Sequence, residues 1–296
     1  MGSSSIILHI GRHKTGTTSL QKFFALNDSL LARKFGILYP VTGRHKKKHY
    51  HHPLFRNLID HDKHIDPERI AAIFEESAAM NTGTILLSCE MLARPTITDE
   101  QLEEIKDAFS GHAIKIIIYF RRQDTFLISM YANHVRRGLL AAPETIYDMD
   151  VSLDYVAFAQ RYARIFGQDA IIVRSYDNAL RTSIFADMLD ALGVKDCNEF
   201  RRPAARLNKR LPWRYLELLR FANKHRWQRY IIGHKWTQNI AHWLNRCSPG
   251  FMDNPKPLNS TECRSLLTQY EDKNAELESL FLNRENLLEP SETQAH

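Results

Sequence analysis

The sequence predicts an α/β fold in which a central, mostly parallel sheet is flanked by helices, with a helical extension at the C-terminal end. Three observations carry that expectation. Short apolar runs at 6–10, 84–88 and 114–120 lack the polar alternation of a one-sided sheet and read as strands buried on both faces. Stretches with helical apolar spacing separate them, as parallel strands require crossover connections. From about Arg201 the texture changes, and Pro203, Pro212, Pro249, Pro255 and Pro257 punctuate mostly helical segments. Residues 1–200 therefore form the α/β core and 201–296 a helical extension packed on it, in one continuous domain.

In chain order, the strand at 6–10 leads into a glycine-bounded loop and then a helix from about Ser19 to Arg33, whose Leu20, Phe23, Phe24 and Leu30 form an apolar stripe. Pro67 opens a helix reaching Met80, proline being favoured in a first helical turn. Thr84–Ser88 is a buried strand, and Thr98-Asp99-Glu100 starts a helix that runs to Phe109. The strand Ile114–Phe120 ends in Arg121-Arg122 and passes directly into a helix; a helix at Leu153–Phe166 and a strand at Ala170–Val173 follow. In the extension, Trp213–Arg226 and Thr261–Leu282 read as helices, and Trp227, Trp236 and Trp243 read as core aromatics, with sugar stacking by one of them the alternative.

The loop Gly11-Arg12-His13-Lys14-Thr15-Gly16-Thr17-Thr18-Ser19 has the composition of a phosphate cradle. Backbone N–H groups of such a loop, with the unpaired donors and positive dipole end of the helix that follows, bind an anion with little help from side chains. Its glycine spacing is that of an NTPase P-loop, but Thr17 stands where that motif places lysine, and the lysine lies inside the loop at Lys14. At the end of the later strand, Arg121 can fork onto a second phosphate, and Ser129, a little over two helical turns on, can hold the same group.

Together the two stretches resemble the sulfotransferase family that uses 3′-phosphoadenosine 5′-phosphosulfate (PAPS). In that family a K-[ST]-G-T-T core binds the 5′-phosphosulfate, and Lys14-Thr15-Gly16-Thr17-Thr18 matches it. A strand ending in Arg, followed eight residues on by Ser before an aromatic, binds the 3′-phosphate; Arg121, Ser129 and Tyr131 match that. The resemblance covers residues 6 to about 200 and implies PAPS as sulfuryl donor, no metal, and a hydroxyl acceptor on a sugar or glycoconjugate. It points to the bacterial and Golgi-type carbohydrate branch, since the cytosolic small-molecule enzymes usually place Trp where Ser19 stands. The cofactor contacts it implies are Arg12, His13, Lys14, Thr15, Gly16, Thr17, Thr18, Ser19, Arg121 and Ser129. Ser175-Tyr176-Asp177 resembles the tyrosine-acidic pair bordering the nucleotide, so Tyr176 is added. Arg206–Arg210 supplies a basic loop from which Lys209 is a further contact, although the R-K-G form of the cytosolic enzymes is missing.

Sulfuryl transfer requires a base for the acceptor proton and a cation against charge on the leaving oxygen. Lys14 is the cation. Glu90, just beyond the strand Thr84–Ser88, is the leading base because a strand end faces the ligand crevice of an open α/β sheet. Related enzymes carry His or Glu at the corresponding strand end, and His51 and His52 are the reserve bases. They belong to Arg44–His52, a run of Arg, three Lys and four His around one Tyr, which reads as a solvated basic loop or an acceptor-binding rim, ahead of a metal site, since no carboxylate or cysteine accompanies the histidines.

Composition bounds the rest. Net charge is +6, which suits an anionic cofactor, and outside Arg44–His52 the basic residues are not interleaved with aromatics as in a nucleic-acid surface. No apolar run reaches bilayer length and residues 1–10 lack a signal-peptide pattern, so the expected location is the cytoplasm. Cys89, Cys197, Cys247 and Cys263 are widely spaced without a C-x-x-C pair, arguing against a structural zinc or a disulfide framework. Two other readings stand beside the sulfotransferase. A P-loop small-molecule kinase using ATP and magnesium would take Glu90 as its metal-organising acid, and a non-catalytic polyanion-binding protein would use Lys46–Lys48.

Overall fold

Alternate residues of the central strand face opposite apolar layers. In β1 (Ser5–His9), Ile6 and Leu8 join one buried cluster and Ile7 joins another. The same alternation divides Ile85 and Leu87 from Leu86 in β3 (Thr84–Ser88), and Ile116, Ile118 and Phe120 from Ile117 and Tyr119 in β4 (Ala113–Phe120). Both faces being covered, the buried middle of each strand is apolar at successive positions and the usual two-residue period disappears from the sequence there. Each such side chain, fully buried, contributes about 1.5–3 kcal/mol.

The computed structural model describes residues 4–61, 64–138, 146, 151–195, 198–203, 211–224, 239–240, 243–244, 246–247 and 257–282. With β2 (Ile37–Leu38) and β5 (Ile171–Ser175), the strands form a five-stranded sheet in the order β2-β3-β1-β4-β5, and every neighbouring pair is parallel. One layer against it contains α1 (Thr17–Leu26), α2 (Asp28–Phe35), α8 (Tyr176–Thr182) and α9 (Ile184–Ala191). The other contains α3 (His52–His61), α4 (Pro67–Ala79), α5 (Asp99–Ala108) and α7 (Tyr155–Phe166).

The chain divides into two compact units, Met1–Arg121 with Asp154–Ala205 and Asp272–His296, and Arg122–Leu153 with Arg206–Glu271. The sheet belongs to the first. The second gathers α6 (Gln123–Arg137), α10 (Trp213–Lys224) and α11 (Ser260–Gln269) around Phe126, Leu127, Met130, Tyr131, Trp213, Leu216, Leu219 and Leu266. α12 (Glu271–Phe281) returns to the first unit, where Leu277 is buried in the sheet's cluster. No helix among the described residues is long and apolar enough to cross a membrane.

Several elements differ from expectation. The compact units are interleaved in sequence, because the apolar face of α6 shares its core with α10 and α11, far along the chain. The single helix expected over Ser19–Arg33 is two, broken at Asn27. That side-chain amide donates to the carbonyls of Phe23 (2.7 Å) and Arg201 (2.9 Å), while its Oδ1 accepts from Arg201 N (2.9 Å). The helix expected over Thr261–Leu282 likewise breaks at Tyr270, the C-cap of α11. Trp227 and Trp236 lie outside the described residues, and Trp243 is exposed rather than core. Cys89, Cys247 and Cys263 are free thiols; Cys197 lies outside the described residues.

Beneath the carboxyl ends of β1 and β3 sits a buried polar knot. Ser88 Oγ meets His9 Nδ1 at 2.9 Å and accepts from Gln21 Nε2 at 3.2 Å. Ser88 N donates to His51 Nδ1 (3.1 Å), His51 N donates to Ser88 O (2.7 Å), and His51 Nε2 donates to the Pro40 carbonyl (3.1 Å). Burial keeps both imidazoles neutral, lowering His9 to about 4 and His51 to about 3. In the unfolded chain both protonate near 6.5. Between those values the unfolded state binds more protons, so stability is complete above pH 6.5 and is lost as pH falls. Thermal melts should therefore show a lower midpoint at pH 5 than at pH 7.5, and His51→Gln should narrow that gap. An unchanged gap would remove His51 as a source of the acid sensitivity.

Candidate active site

Three adjacent strands, β3, β1 and β4, deliver Glu90, the loop Gly11–Gly16 and Arg121 to the same end of the sheet. Such strand ends are where open α/β sheets bind ligands. Register sets the heights. His9, the last residue of β1, pairs with Ile117, so β4 continues three residues further to Phe120, and β5 matches it with Ser175 opposite Phe120. At about 3.3 Å per residue that overhang raises Arg121 and Tyr176 alongside the loop rather than beneath it.

The loop closes on itself and on these neighbours. Thr15 Oγ1 donates to the Arg12 carbonyl at 2.6 Å, and Arg121 Nη1 donates to the Lys14 carbonyl at 3.3 Å. Lys14 has φ of 70° and Gly16 of 75°, so the backbone turns left-handed twice before α1 begins. Gly16 is the N-cap of α1 and, lacking a side chain, brings no side-chain acceptor to the first turn, where its carbonyl accepts from Ser19 N at 2.9 Å. A Cβ at Gly16 would lie 2.8 Å from Ile184 Cδ1 and 3.1 Å from Tyr176 Cε2; one at Gly11 would lie 2.7 Å from Thr17 Cγ2 and 2.8 Å from His9 Nε2. Both glycines are thus required by packing, not only by a ligand.

Glu90 opens a single 3₁₀ turn, Glu90–Ala93, just past β3. Its Oε2 accepts from Thr17 Oγ1 at 2.6 Å and lies 3.9 Å from His13 Nδ1. Burial lowers the pKa of His13, with Glu90 opposing and Arg94 and Lys14 adding to the shift. The Arg121 guanidinium lies 5.5 Å from the centroid of the Tyr176 ring, the ring that also packs at Gly16. Lys14, Thr17, His13, Glu90, Arg121 and Tyr176 therefore lie around one loop, and with its N–H donors and cations it fits a phosphate-type anion.

Other expected residues are placed differently. The guanidinium of Arg12 is turned into an aromatic box, 5.0 Å from the ring centroid of Tyr155, 5.2 Å from Phe158 and 6.0 Å from Phe120, rather than toward the loop's rim. His51, a reserve base, is wholly buried with both ring nitrogens hydrogen-bonded to backbone, so neither can take a proton from an acceptor. His52 Nε2 lies 3.5 Å from Asp60 Oδ2; burial lowers its pKa, with Asp60 opposing. Thr15 is buried, whereas Thr18 is exposed and Ser19 half-buried on the first turn of α1. Ser129 lies on α6 in the second unit, and Lys209 lies outside the described residues. The contributors the sequence did not single out are His9, Gln21 and Ser88. Their signal was a histidine inside an apolar strand, Ile6-Ile7-Leu8-His9-Ile10. Among the described residues no group of three or more His, Cys, Asp or Glu side chains forms a metal-ligating cluster.

No protein-family model and no curated protein matches the chain. Among solved structures, the crystal structure of a sulfotransferase from Alicyclobacillus acidocaldarius is similar with a TM-score of 0.40 and 16% identity, covering 80% of this chain and 100% of that one. At that distance the likeness assigns neither activity nor residues.

Gly16→Ala should destabilise the protein by at least about 1–2 kcal/mol, the cost of a left-handed backbone for a residue with Cβ, before any clash with Ile184 is added. A shift of the urea midpoint reads this; an unshifted midpoint would show that the turn can be rebuilt.

Proposed function

We propose that this chain is a PAPS-dependent sulfotransferase that moves a sulfuryl group to a hydroxyl of a carbohydrate or glycoconjugate. The observation that carries the reading is the juxtaposition of a carboxylate with an anion cradle, Glu90 Oε2 lying 2.6 Å from Thr17 Oγ1 in the first turn of α1. A bare phosphate-binding loop needs no base, whereas transfer to a hydroxyl does. PAPS, when bound, supplies the sulfuryl group and a phosphate as leaving group.

The chain's own residues divide the remaining tasks. Loop and helix-start N–H groups hold the anionic end of the donor, with Lys14 the cation that offsets charge on the leaving oxygen. Arg121, seated between the Lys14 carbonyl and the Tyr176 ring, offers forked donors to a second phosphate. Glu90 takes the acceptor's proton. The carbohydrate acceptor extends the resemblance in the sequence, and the cytoplasmic setting extends its apolar and signal-segment pattern; neither rests on a contact in the fold.

Calorimetry with adenosine 3′,5′-bisphosphate (PAP), against ATP with magnesium, tests the donor. PAP should bind equally with and without chelator. Arg121→Ala should weaken it by about 1.5–3 kcal/mol, the range for a charge-assisted contact, and hardly affect adenosine 5′-monophosphate, which lacks the 3′-phosphate. Binding of ATP only, and only with magnesium, would favour the kinase reading. With radiolabelled PAPS and a responsive glycan, Glu90→Gln should lower turnover by about 10²- to 10⁴-fold while PAP still binds. Lys14→Ala should lower turnover more than PAP affinity; the reverse would make Lys14 a ground-state contact.

A further inference from the structure

Thr17 Oγ1 carries one proton, and it is directed to Glu90 Oε2 at 2.6 Å. Thr17 is also the first residue of α1, in the turn whose donors face the loop. One hydroxyl cannot donate to a carboxylate and a phosphate oxygen together. Resting on the donor assignment above, we infer that Thr17 is a positioning residue that couples donor binding to the strength of the base: an anion in the loop takes the Thr17 proton, and Glu90, released, binds its own proton more tightly.

Two physical effects act in the same direction. Losing a hydrogen bond to its charged form raises a carboxyl's pKa, and an anion brought close raises it again. The groups whose charge meets that of Glu90 are His13 on the loop, His52 on α3 and the adjacent Cys89. Arg94 acts on those same three groups, and Lys14 and Arg12 act on His13. Among them His13, 3.9 Å from Glu90, is the other titratable group beside the carboxylate that can gain a proton when an anion arrives, so it must be separated from Glu90 by experiment. A carboxylate that binds its proton more tightly in this way is a stronger base for the acceptor's proton. The hydroxyl of the acceptor thus meets its strongest base only when the sulfuryl donor is in place.

By linkage, a group whose pKa is raised in the complex takes up a proton on binding, and affinity for the anion falls as pH rises through that window. Between pH 5 and pH 8 the affinity of the protein for PAP should fall more steeply than that of Glu90→Gln, by up to about tenfold for each pK unit of the rise that lies inside that window. Ionisation of PAP itself is common to both and cancels. His13→Asn should retain the excess. In carboxyl-labelled protein without PAP, Thr17→Val should raise the Glu90 pKa seen by NMR, and Thr17→Ser should restore it; valine keeps the methyl that packs at Gly11, which guards against misfolding. Equal pH dependence in the parent and Glu90→Gln, or an excess that vanishes in His13→Asn, overturns the coupling while leaving PAP as ligand. A Glu90 pKa indifferent to Thr17→Val overturns the hold. Failure of PAP to bind at any pH removes the donor assignment itself, and the release of Glu90 falls with it.

Discussion

The site depends on a strained turn being held shut. Lys14 in a left-handed backbone costs about 1–2 kcal/mol relative to an ordinary conformation, and such strain persists only where the surroundings over-determine it. Here the restraints come from four directions. Thr15 bonds back to the Arg12 carbonyl, Arg121 holds the Lys14 carbonyl, and Arg12 is fixed among the rings of Tyr155, Phe158 and Phe120. Gly16 is packed against Ile184 and Tyr176. Hydrogen bonds of this kind contribute about 0.5–1.5 kcal/mol net, so two of them already match the cost of the turn. The loop is therefore organised by β4, α7 and α8 and does not rely on an anion for its shape.

Beneath that turn lies a polar layer in an otherwise apolar sheet. His9 occupies a strand position whose neighbours Ile7, Leu86, Ile117 and Tyr119 are packed in the α1 layer, and its ring meets the edges of Phe24 and Tyr119. Its Nε2 lies only 2.8 Å from where a Cβ on Gly11 would go, so strand and loop fix each other's side-chain size. Through Ser88 the same layer reaches His51 and the Pro40 carbonyl. The segment 40–51 is thereby tied to the end of β3, two residues before Glu90. A wholly apolar floor would be more tolerant of slippage; paired polar groups admit few alternative arrangements.

What the sequence made legible was local. The phosphate loop, the Arg121 strand end and the Glu90 strand end each rest on a contiguous pattern, an apolar run followed by punctuation, and the structure brings all three to one edge. What it hid was decided at long range. Asn27 sits in a helical apolar pattern that continues past it, and the break is held both by its own bond to the Phe23 carbonyl and by the distant chain at Arg201. The helix after Arg121 reads like any crossover helix, yet its apolar face shares a core with Trp213 and Leu216, which no local period reveals. His51 in a basic run reads as solvated. It is buried because two backbone partners satisfy both nitrogens in the neutral ring, a pairing invisible in composition.

The placing of Glu90 carries an electrostatic conflict that explains its surroundings. A carboxylate beside an anion cradle repels the ligand the cradle holds, an interaction that a low dielectric magnifies. Lys14 and Arg121 on the loop's flank, with Arg94 acting on His13 and Cys89, set positive charge against that repulsion. Among the described residues, the hydrogen bond to its Oε2 comes from a neutral hydroxyl, and His13, 3.9 Å away, is held toward its neutral form by burial. A tight ion pair would instead hold the carboxylate's proton affinity down and weaken it as a base. A neutral donor keeps the carboxylate oriented while leaving its basicity open to whatever next occupies the loop.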